Sequence, residues 1–171
     1  MKGIGCVMVI LSSAGIGFYF SSEMKSRIED LKELKKLIGL LKGDIRYGNT
    51  PLPEAISAIA GRYRGSFRSF FCRTSARLME LSGQTFTEIW KNAVEQELVK
   101  TSLSKKDRLA LISFGENLGY LDKDMQMNTF ELYLSQLEEE IGELTRTVKE
   151  RSYLYNSLGI MAGVFISIVM I

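Results

Sequence analysis

The sequence predicts an all-α protein, in which a small antiparallel helical bundle is flanked by N- and C-terminal transmembrane helices. Apolar residues recur at spacings of three and four through most of the middle of the chain, as they do in amphipathic helices. No stretch shows the alternating, β-branched pattern between turn residues that is typical of strands. Two stretches, one near each end, carry no charged residue. A length of 171 residues fits one domain between them.

The two uncharged stretches are residues 3–20 and 152–171, of eighteen and twenty residues. As helices they would reach roughly 27 and 30 Å, against about 30 Å of membrane hydrocarbon. A cleaved signal peptide and a buried core helix are alternatives for the first stretch. A signal peptide, however, has a shorter apolar segment that ends in small residues, whereas this stretch ends in FYF. We therefore expect transmembrane helices at 3–20 and 152–171 and a polar helical domain at 21–151.

Small residues lie four apart in both predicted spans. Ser13 and Gly17 form such a pair in the first span, and Gly159 and Gly163 form a GxxxG pattern in the second. Small residues at this spacing let helix backbones approach closely in lipid. We expect these four residues to help the two spans pack together.

Basic residues beside the predicted spans indicate their orientation. Those that follow the first span are Lys25, Arg27, Lys32, Lys35 and Lys36, and those just before the second span are Arg146, Lys149 and Arg151. Because lysine and arginine concentrate in cytoplasmic segments, we expect the domain at 21–151 to be cytoplasmic. The net charge is only +2, and no basic face is interleaved with aromatic residues, so nucleic acid is not an expected partner.

The first amphipathic helix continues directly from the first span and ends in GDIRYGNTPLPEAI, residues 43–56. Its apolar positions are Met24, Ile28, Leu31, Leu34, Leu37, Ile38, Leu41 and Ile45. At its end, Thr50 followed by Pro51 predicts a helix N-cap with proline at the first helical position. The short helix after this corner has Leu52, Ala55, Ile56 and Ile59 on one face and ends near Gly61.

Four more helix starts are predicted from capping residues. Ser66 is the expected cap of a helix bearing Phe67, Phe70, Phe71 and Leu78. TFTE at 85–88 and SKKD at 104–107 fit capping boxes. The helix that follows SKKD carries Leu109, Leu111, Ile112 and Phe114 and ends at Gly119. The last helix begins near Asp122, and its heptad seam is Phe130, Leu134, Leu137, Ile141, Leu144 and Val148.

The residues that usually carry catalysis or bind metals are scarce. The chain has no histidine, which is the commonest general base and metal ligand. Cys72 follows two phenylalanines and is expected in the core. The chain contains neither of the glycine-rich phosphate-binding motifs GxxxxGK(S/T) and GxGxxG. Glu138, Glu139, Glu140 and Glu143 flank the last apolar seam and are expected on a solvated face. We therefore predict no catalytic residue, cofactor or metal site.

Two motifs lie at predicted helix junctions. The first, YGxTPLxEA, consists of Tyr47, Gly48, Thr50, Pro51, Leu52, Glu54 and Ala55. The second, within FGENLGYLDKDMQ, consists of Phe114, Gly115, Leu118, Gly119, Asp122 and Gln126. These motifs, and their order between two terminal spans, resemble the stage III sporulation protein AB family. Pro53 lies outside the family pattern.

The resemblance implies a fold similar to the F-type inner-membrane platform proteins of type II secretion. It implies a non-catalytic component of the channel complex that joins mother cell and forespore, located in the mother-cell membrane around the forespore. The implied partners are a cytoplasmic ATPase, stage III sporulation protein AA, and the other membrane subunits of the channel complex, with the lipid bilayer around the spans. Assembly of this chain into a homo-oligomer stays open.

Two other functions are compatible with the residues. One is a membrane-anchored enzyme acting on lipid or cell-wall precursors, which would use carboxylates as acid and base. The other is a structural adaptor of the division septum, which would need no catalytic residues. The motif residues themselves fit either a partner-docking or a structural role. Gly115 and Gly119 share a helix face on which a neighbouring helix can approach closely. Asp122 can cap the last helix, with Gln126 within reach of the same turn.

Overall fold

In a computed structural model, the part of the chain whose backbone is described forms six α-helices that we number in chain order. They are α1 (Lys2–Arg46), α2 (Leu52–Arg62), α3 (Arg68–Met79), α4 (Phe86–Glu97), α5 (Lys105–Leu118) and α6 (Lys123–Met170), with a 3-10 turn at Leu98–Lys100 after α4. The structure describes the side chains of residues 22–80, 83–119, 122 and 124–150. Because these residues contain no strand, the all-helical prediction is confirmed.

The helices form a closed ring around one apolar core. Each helix packs against the next one in sequence, and α6 closes the ring by packing along α1. All six helices contribute to the core. Its largest fully buried side chains include Trp90, Phe67, Phe70, Phe71, Phe130 and Leu31. The seam predicted for α1 faces this core from Leu31 to Ile45, and the seam predicted for α6 faces it from Phe130 to Leu144.

Helices α1 and α6 are antiparallel. Ion pairs between them run in opposite order along the two helices: Arg27–Glu140, Lys35–Glu138 and Lys42–Glu131. The described part of α1 near residue 22 and the described part of α6 near residue 150 therefore lie at the same end of the bundle, which we call the exit end. The opposite end holds the α1–α2 corner and the α5–α6 turn, and we call it the corner end.

Both predicted capping boxes are confirmed. Thr85 and Glu88 exchange hydrogen bonds at the start of α4, and Ser104 and Asp107 do so at the start of α5. The prediction that Ser66 caps α3 is wrong, because the helix begins one residue later than expected and has no side-chain cap. Phe67 takes the N-cap position and is fully buried, so apolar packing fixes this helix start.

Leu109 is the predicted core residue that the structure places elsewhere. Its side chain is 55% exposed on the outer face of α5, whereas Leu111, Ile112 and Phe114 are buried as expected. A helix face spans only part of each turn, so a residue two positions before a core leucine points away from the core. Cys72 is half-buried against the core.

The two predicted transmembrane helices fall outside the residues whose side chains are described. Among the described residues, no helix is both long enough and apolar enough to cross a bilayer. Residues 3–20 and 152–171, and with them Ser13, Gly17, Gly159 and Gly163, lie beyond that part of the chain.

Candidate functional site

The α1–α2 corner is a tight turn built on backbone hydrogen bonds. The Tyr47 N–H donates to the Gly43 carbonyl over 2.9 Å, and the Thr50 N–H donates to the Asp44 carbonyl over 3.2 Å. Between them Asn49 has a φ of 48°, in the left-handed region that asparagine tolerates better than most residues. A Cβ on Gly48 would lie 2.6 Å from the Asp44 carbonyl oxygen, so the corner requires glycine there.

The N-cap of α2 is Pro51 and not Thr50, which corrects the prediction. The Pro51 carbonyl accepts the first helical hydrogen bond, from the Ala55 N–H, and no side chain caps the helix. Leu52 is thus the first helical residue and Pro53 the second. At the N-cap and in the first turn a backbone N–H has no acceptor within the helix, so neither Pro51 nor Pro53 removes a helical hydrogen bond. Glu54 lies in the first turn, where a carboxylate interacts favourably with the helix dipole.

Gly115 lets α4 approach α5 closely. A Cβ at this position would lie 2.1 Å from the Trp90 side chain, and one at Gly119 would lie 3.2 Å from the Thr87 hydroxyl. The Trp90 indole N–H also donates to the Leu111 carbonyl over 2.8 Å. The predicted close approach at both glycines is therefore confirmed, and α4 is the helix that approaches.

The α5–α6 turn is held by the last two residues of the second motif. The Asp122 carboxylate accepts from the Met125 N–H over 2.9 Å, which makes it the cap of α6 as predicted. The Gln126 side-chain amide donates to the Leu118 carbonyl over 3.2 Å and so ties the end of α5 to the start of α6. Phe114 and Leu118 are buried in the core.

Both motifs therefore lie at the corner end of the bundle. Most of their side chains shape this end from within, but some side chains there face solvent. The Tyr47 ring is 81% exposed, with the Arg46 guanidinium 5.5 Å from its centre, and Met125 is 55% exposed. Exposed aromatic and methionine side chains of this kind are enriched at protein interfaces. The corner end is accordingly the candidate docking surface.

An ion cluster around one buried carboxylate lies towards the exit end. Arg27 donates to both carboxylate oxygens of Asp107, over 2.7 and 2.8 Å, and to Glu140 over 2.7 Å. Lys106 pairs with the other oxygen of Glu140 over 2.7 Å. The Asp107 side chain is only 5% exposed. The cluster therefore joins α1, α5 and α6 through a carboxylate that is shielded from water.

The cluster shifts the pKa of its carboxyl groups downwards. Burial by itself raises the pKa of the Asp107 carboxyl, but hydrogen bonds from Arg27 and Ser104 outweigh it and leave this pKa below its ordinary value. For Glu140, the hydrogen bond from Lys106 is the main cause of a lowered pKa. Both groups are thus held as carboxylates and do not resemble a general acid poised near neutral pH.

A groove runs along the surface between α5 and α6. Its larger part has a volume of about 490 Å³ and a smaller part, beside it, has about 160 Å³; the two parts share Ala110, Tyr133 and Gln136. Tyr133 is 4% exposed, and its hydroxyl has no hydrogen-bond partner among the described residues. Glu139 and Glu143 line the groove and are exposed.

Sequence reasoning missed the ion cluster and the groove. Asp107 was identifiable as a capping residue, but no spacing in the sequence links it to Arg27, eighty positions earlier. The glutamates expected on a solvated face are divided in the structure. Glu138 and Glu140 form ion pairs, whereas Glu139 and Glu143 have no cationic partner among the described residues. In the same part of the chain, no three His, Cys, Asp or Glu residues are placed to hold a metal ion.

Comparisons with known proteins agree with the motifs. The family model of stage III sporulation protein AB matches residues 2–171. Stage III sporulation protein AB of Bacillus subtilis is 26% identical over 166 residues, which is 97% of this chain and 96% of that protein. A solved structure of stage III sporulation protein AB superposes with a TM-score of 0.66 at 26% identity, covering 72% of this chain and 97% of that chain.

Proposed function

We propose that this chain, which belongs to the stage III sporulation protein AB family, is a non-catalytic membrane platform of the channel complex between mother cell and forespore. In this proposal the helical domain is cytoplasmic and docks an ATPase, stage III sporulation protein AA. The transmembrane helices at 3–20 and 152–171 hold the domain in the mother-cell membrane and contact the other channel subunits.

The antiparallel pairing of α1 and α6 is the observation that carries the proposal. Because Arg27 pairs with Glu140 and Lys42 with Glu131, residues 22 and 150, which border the two charge-free segments, lie towards the same end of the bundle. Such an arrangement lets both segments enter one bilayer as a hairpin. The bundle then stands on the membrane with its corner end farthest from the lipid.

The corner end is the surface best placed to meet a cytoplasmic ATPase. It carries the exposed Tyr47 ring and Met125, and its backbone is fixed by the Gly48 turn and the Asp122 cap. A rigid surface loses little conformational entropy on binding, which favours docking.

The test measures binding of the full-length chain, reconstituted in lipid nanodiscs, to the purified ATPase. We expect Tyr47→Ala combined with Met125→Ala to weaken binding at least about tenfold, since exposed anchor residues dominate interface energies. Val99→Ala is the matched control, because Val99 is also exposed but lies within the 3-10 turn near the exit end. Failure of the unmodified chain to bind at any salt concentration, or equal affinity of the double variant and the control, would remove the docking claim.

A further inference from the structure

The described surface carries opposite charges on opposite sides of the ring. Between residues 124 and 150, α6 has seven acidic and two basic residues, whereas residues 52–80, which form α2 and α3, have five arginines and two glutamates. Since each helix packs on its neighbours in sequence and α6 closes on α1, the α5–α6 side lies across the bundle from the α2–α3 side.

The acidic side has a groove with unsatisfied polar groups. Asp107 and Glu140 are neutralised there by Arg27 and Lys106, but Glu139 and Glu143 remain without a cation among the described residues. Tyr133 also lines the groove, but its hydroxyl is enclosed by the protein and is not reached from outside. The carboxylates of Glu139 and Glu143 are therefore the groups that favour an incoming cation.

The basic side presents two arginines in and beside the α2–α3 loop. Arg64 and Arg68 are both exposed. Arg64 donates only to the carbonyls of Gly61 and Tyr63, and Arg68 has no ion pair among the described residues. Both guanidinium groups are therefore available to an external carboxylate.

The groove and the arginine loop lie at similar distances from the exit end. The groove is level with Arg27, which reaches Asp107 and Glu140. The loop is level with Glu33, whose carboxylate lies beside Gly65. Six residues along α1 separate the two levels, or about 9 Å. Two copies standing side by side with their exit ends on one membrane would thus bring these surfaces to nearly the same height.

We propose that the α5–α6 groove of one copy receives Arg64 and Arg68 from the α2–α3 loop of a second copy. The two guanidinium groups pair with the carboxylates of Glu139 and Glu143. Because the contact joins different surfaces, it is heterologous, so successive copies form a row or a closed ring. The inference rests on the proposed membrane orientation, which gives neighbouring copies a common height.

Site-directed crosslinking tests the head-to-tail geometry in liposomes. Starting from the full chain with Cys6→Ser and Cys72→Ala, one protein carries Gln136→Cys in the groove and another carries Ser66→Cys in the loop. We expect a disulfide dimer when the two proteins are mixed and little when either is oxidised alone. Equal crosslinking of either protein alone, or none in the mixture, would overturn the heterologous contact.

Charge reversal tests the pairing itself, measured as self-association by energy transfer between labelled copies in liposomes. Glu139→Arg with Glu143→Arg, and separately Arg64→Glu with Arg68→Glu, should each weaken association at least about tenfold, because like charges then face each other. All four substitutions in one chain should restore it. Glu29→Arg with Glu95→Arg makes the same charge change at exposed sites away from both surfaces and should leave association unchanged.

Two results would contradict the proposal. One is a four-substitution chain that associates as weakly as either pair alone, and the other is an unmodified chain that stays monomeric in liposomes. ATPase binding is measured in parallel with single copies in nanodiscs. An unmodified chain that binds the ATPase but stays monomeric in liposomes would overturn this inference and leave the proposed function intact.

Discussion

Trp90 of α4 packs directly against the backbone of α5 at Gly115. The indole ring occupies the space that any side chain at position 115 would fill, and it also packs against Phe70 with ring centres 4.8 Å apart. Its N–H is satisfied by the Leu111 carbonyl, so a polar atom of the largest core residue is buried without cost. Gly115 is needed here for space, and not for an unusual backbone conformation.

We predict that Gly115→Ala destabilises the protein by about 2–3 kcal/mol, because the new methyl group must displace Trp90 in a packed core. Gly142→Ala is the control, since a Cβ at that helical position meets nothing within 4 Å. That change should stabilise the protein by about 0.5–1 kcal/mol through the better helix propensity of alanine. Urea unfolding of both variants decides the matter, and equal effects would contradict the packing argument.

Replacing Arg27 should lower the free energy of unfolding, because Arg27 is the main partner of the buried Asp107 carboxylate. Arg27→Met leaves the shielded Asp107 carboxylate without its main partner, and we expect a loss of about 2–3 kcal/mol at neutral pH. Arg146→Met, which breaks an exposed pair with Glu150, should produce no measurable change. The free energies of unfolding of both variants are compared at the same ionic strength.

The same variant has a defined pH dependence. Because the pKa of Asp107 is lower in the folded than in the unfolded protein, its contribution is complete above the unfolded value near 3.9. It is lost as the pH falls through the lower folded-state pKa. The destabilisation by Arg27→Met should therefore shrink below about pH 4, and a constant difference between pH 7 and pH 3 would rule out this linkage.

At the scale of the element, the helices begin by different physical means. The starts of α4 and α5 are fixed by reciprocal hydrogen bonds of a capping box, as at Thr85 and Glu88. The start of α2 depends instead on Pro51, whose fixed φ suits the residue that precedes a helix, and on the Gly48 turn. The same residue type, threonine, thus caps at position 85 and does not at position 50.

We predict that Thr85→Ala lowers the free energy of unfolding by about 1 kcal/mol, because it leaves the Glu88 N–H without its acceptor. Thr50→Ala removes no cap and should cost less than about 0.5 kcal/mol. Thermal unfolding of the two variants provides the comparison. A larger loss at position 50 than at position 85 would restore Thr50 as the capping residue.

At the scale of the whole molecule, the antiparallel α1–α6 pair gives the bundle two distinct ends. The pairs Lys35–Glu138 and Lys42–Glu131 extend this register along the bundle from the Arg27 cluster towards the corner end. The exit end carries the continuations of both long helices, and the corner end carries both motifs. The end proposed to lie at the membrane is therefore opposite the end proposed to dock the ATPase.

We predict that protease added outside intact, right-side-out vesicles leaves residues 21–151 uncut, because basic residues beside both proposed spans favour a cytoplasmic domain. Vesicles opened with detergent provide the control, in which the same domain should be digested. The measurement is an immunoblot against an epitope within the domain. Digestion in intact vesicles would refute the proposed topology and, with it, the docking function.

Much of the fold was predictable because it depends on local patterns. The heptad seam of α6, the capping boxes at Thr85 and Ser104, and the closure of α5 at Gly119 all follow from residues within one or two turns of each other. The Ser66 and Thr50 caps were wrong for a related reason. A serine or threonine before an apolar run marks a helix start only to within a residue or two, and packing of Phe67 or the φ of proline then decides the boundary.

The sequence by itself determined an all-helical chain, its helix order, two uncharged end segments and the family to which it belongs. Only the tertiary structure decided that Arg27 meets Asp107, that Trp90 covers Gly115, and that Tyr133 lies unsatisfied beneath an acidic groove. Local propensity and periodicity are properties of neighbouring residues, so they can be read along the chain. The partner of a buried charge or hydroxyl depends on how distant helices rotate and cross when they close the core, which no local pattern specifies.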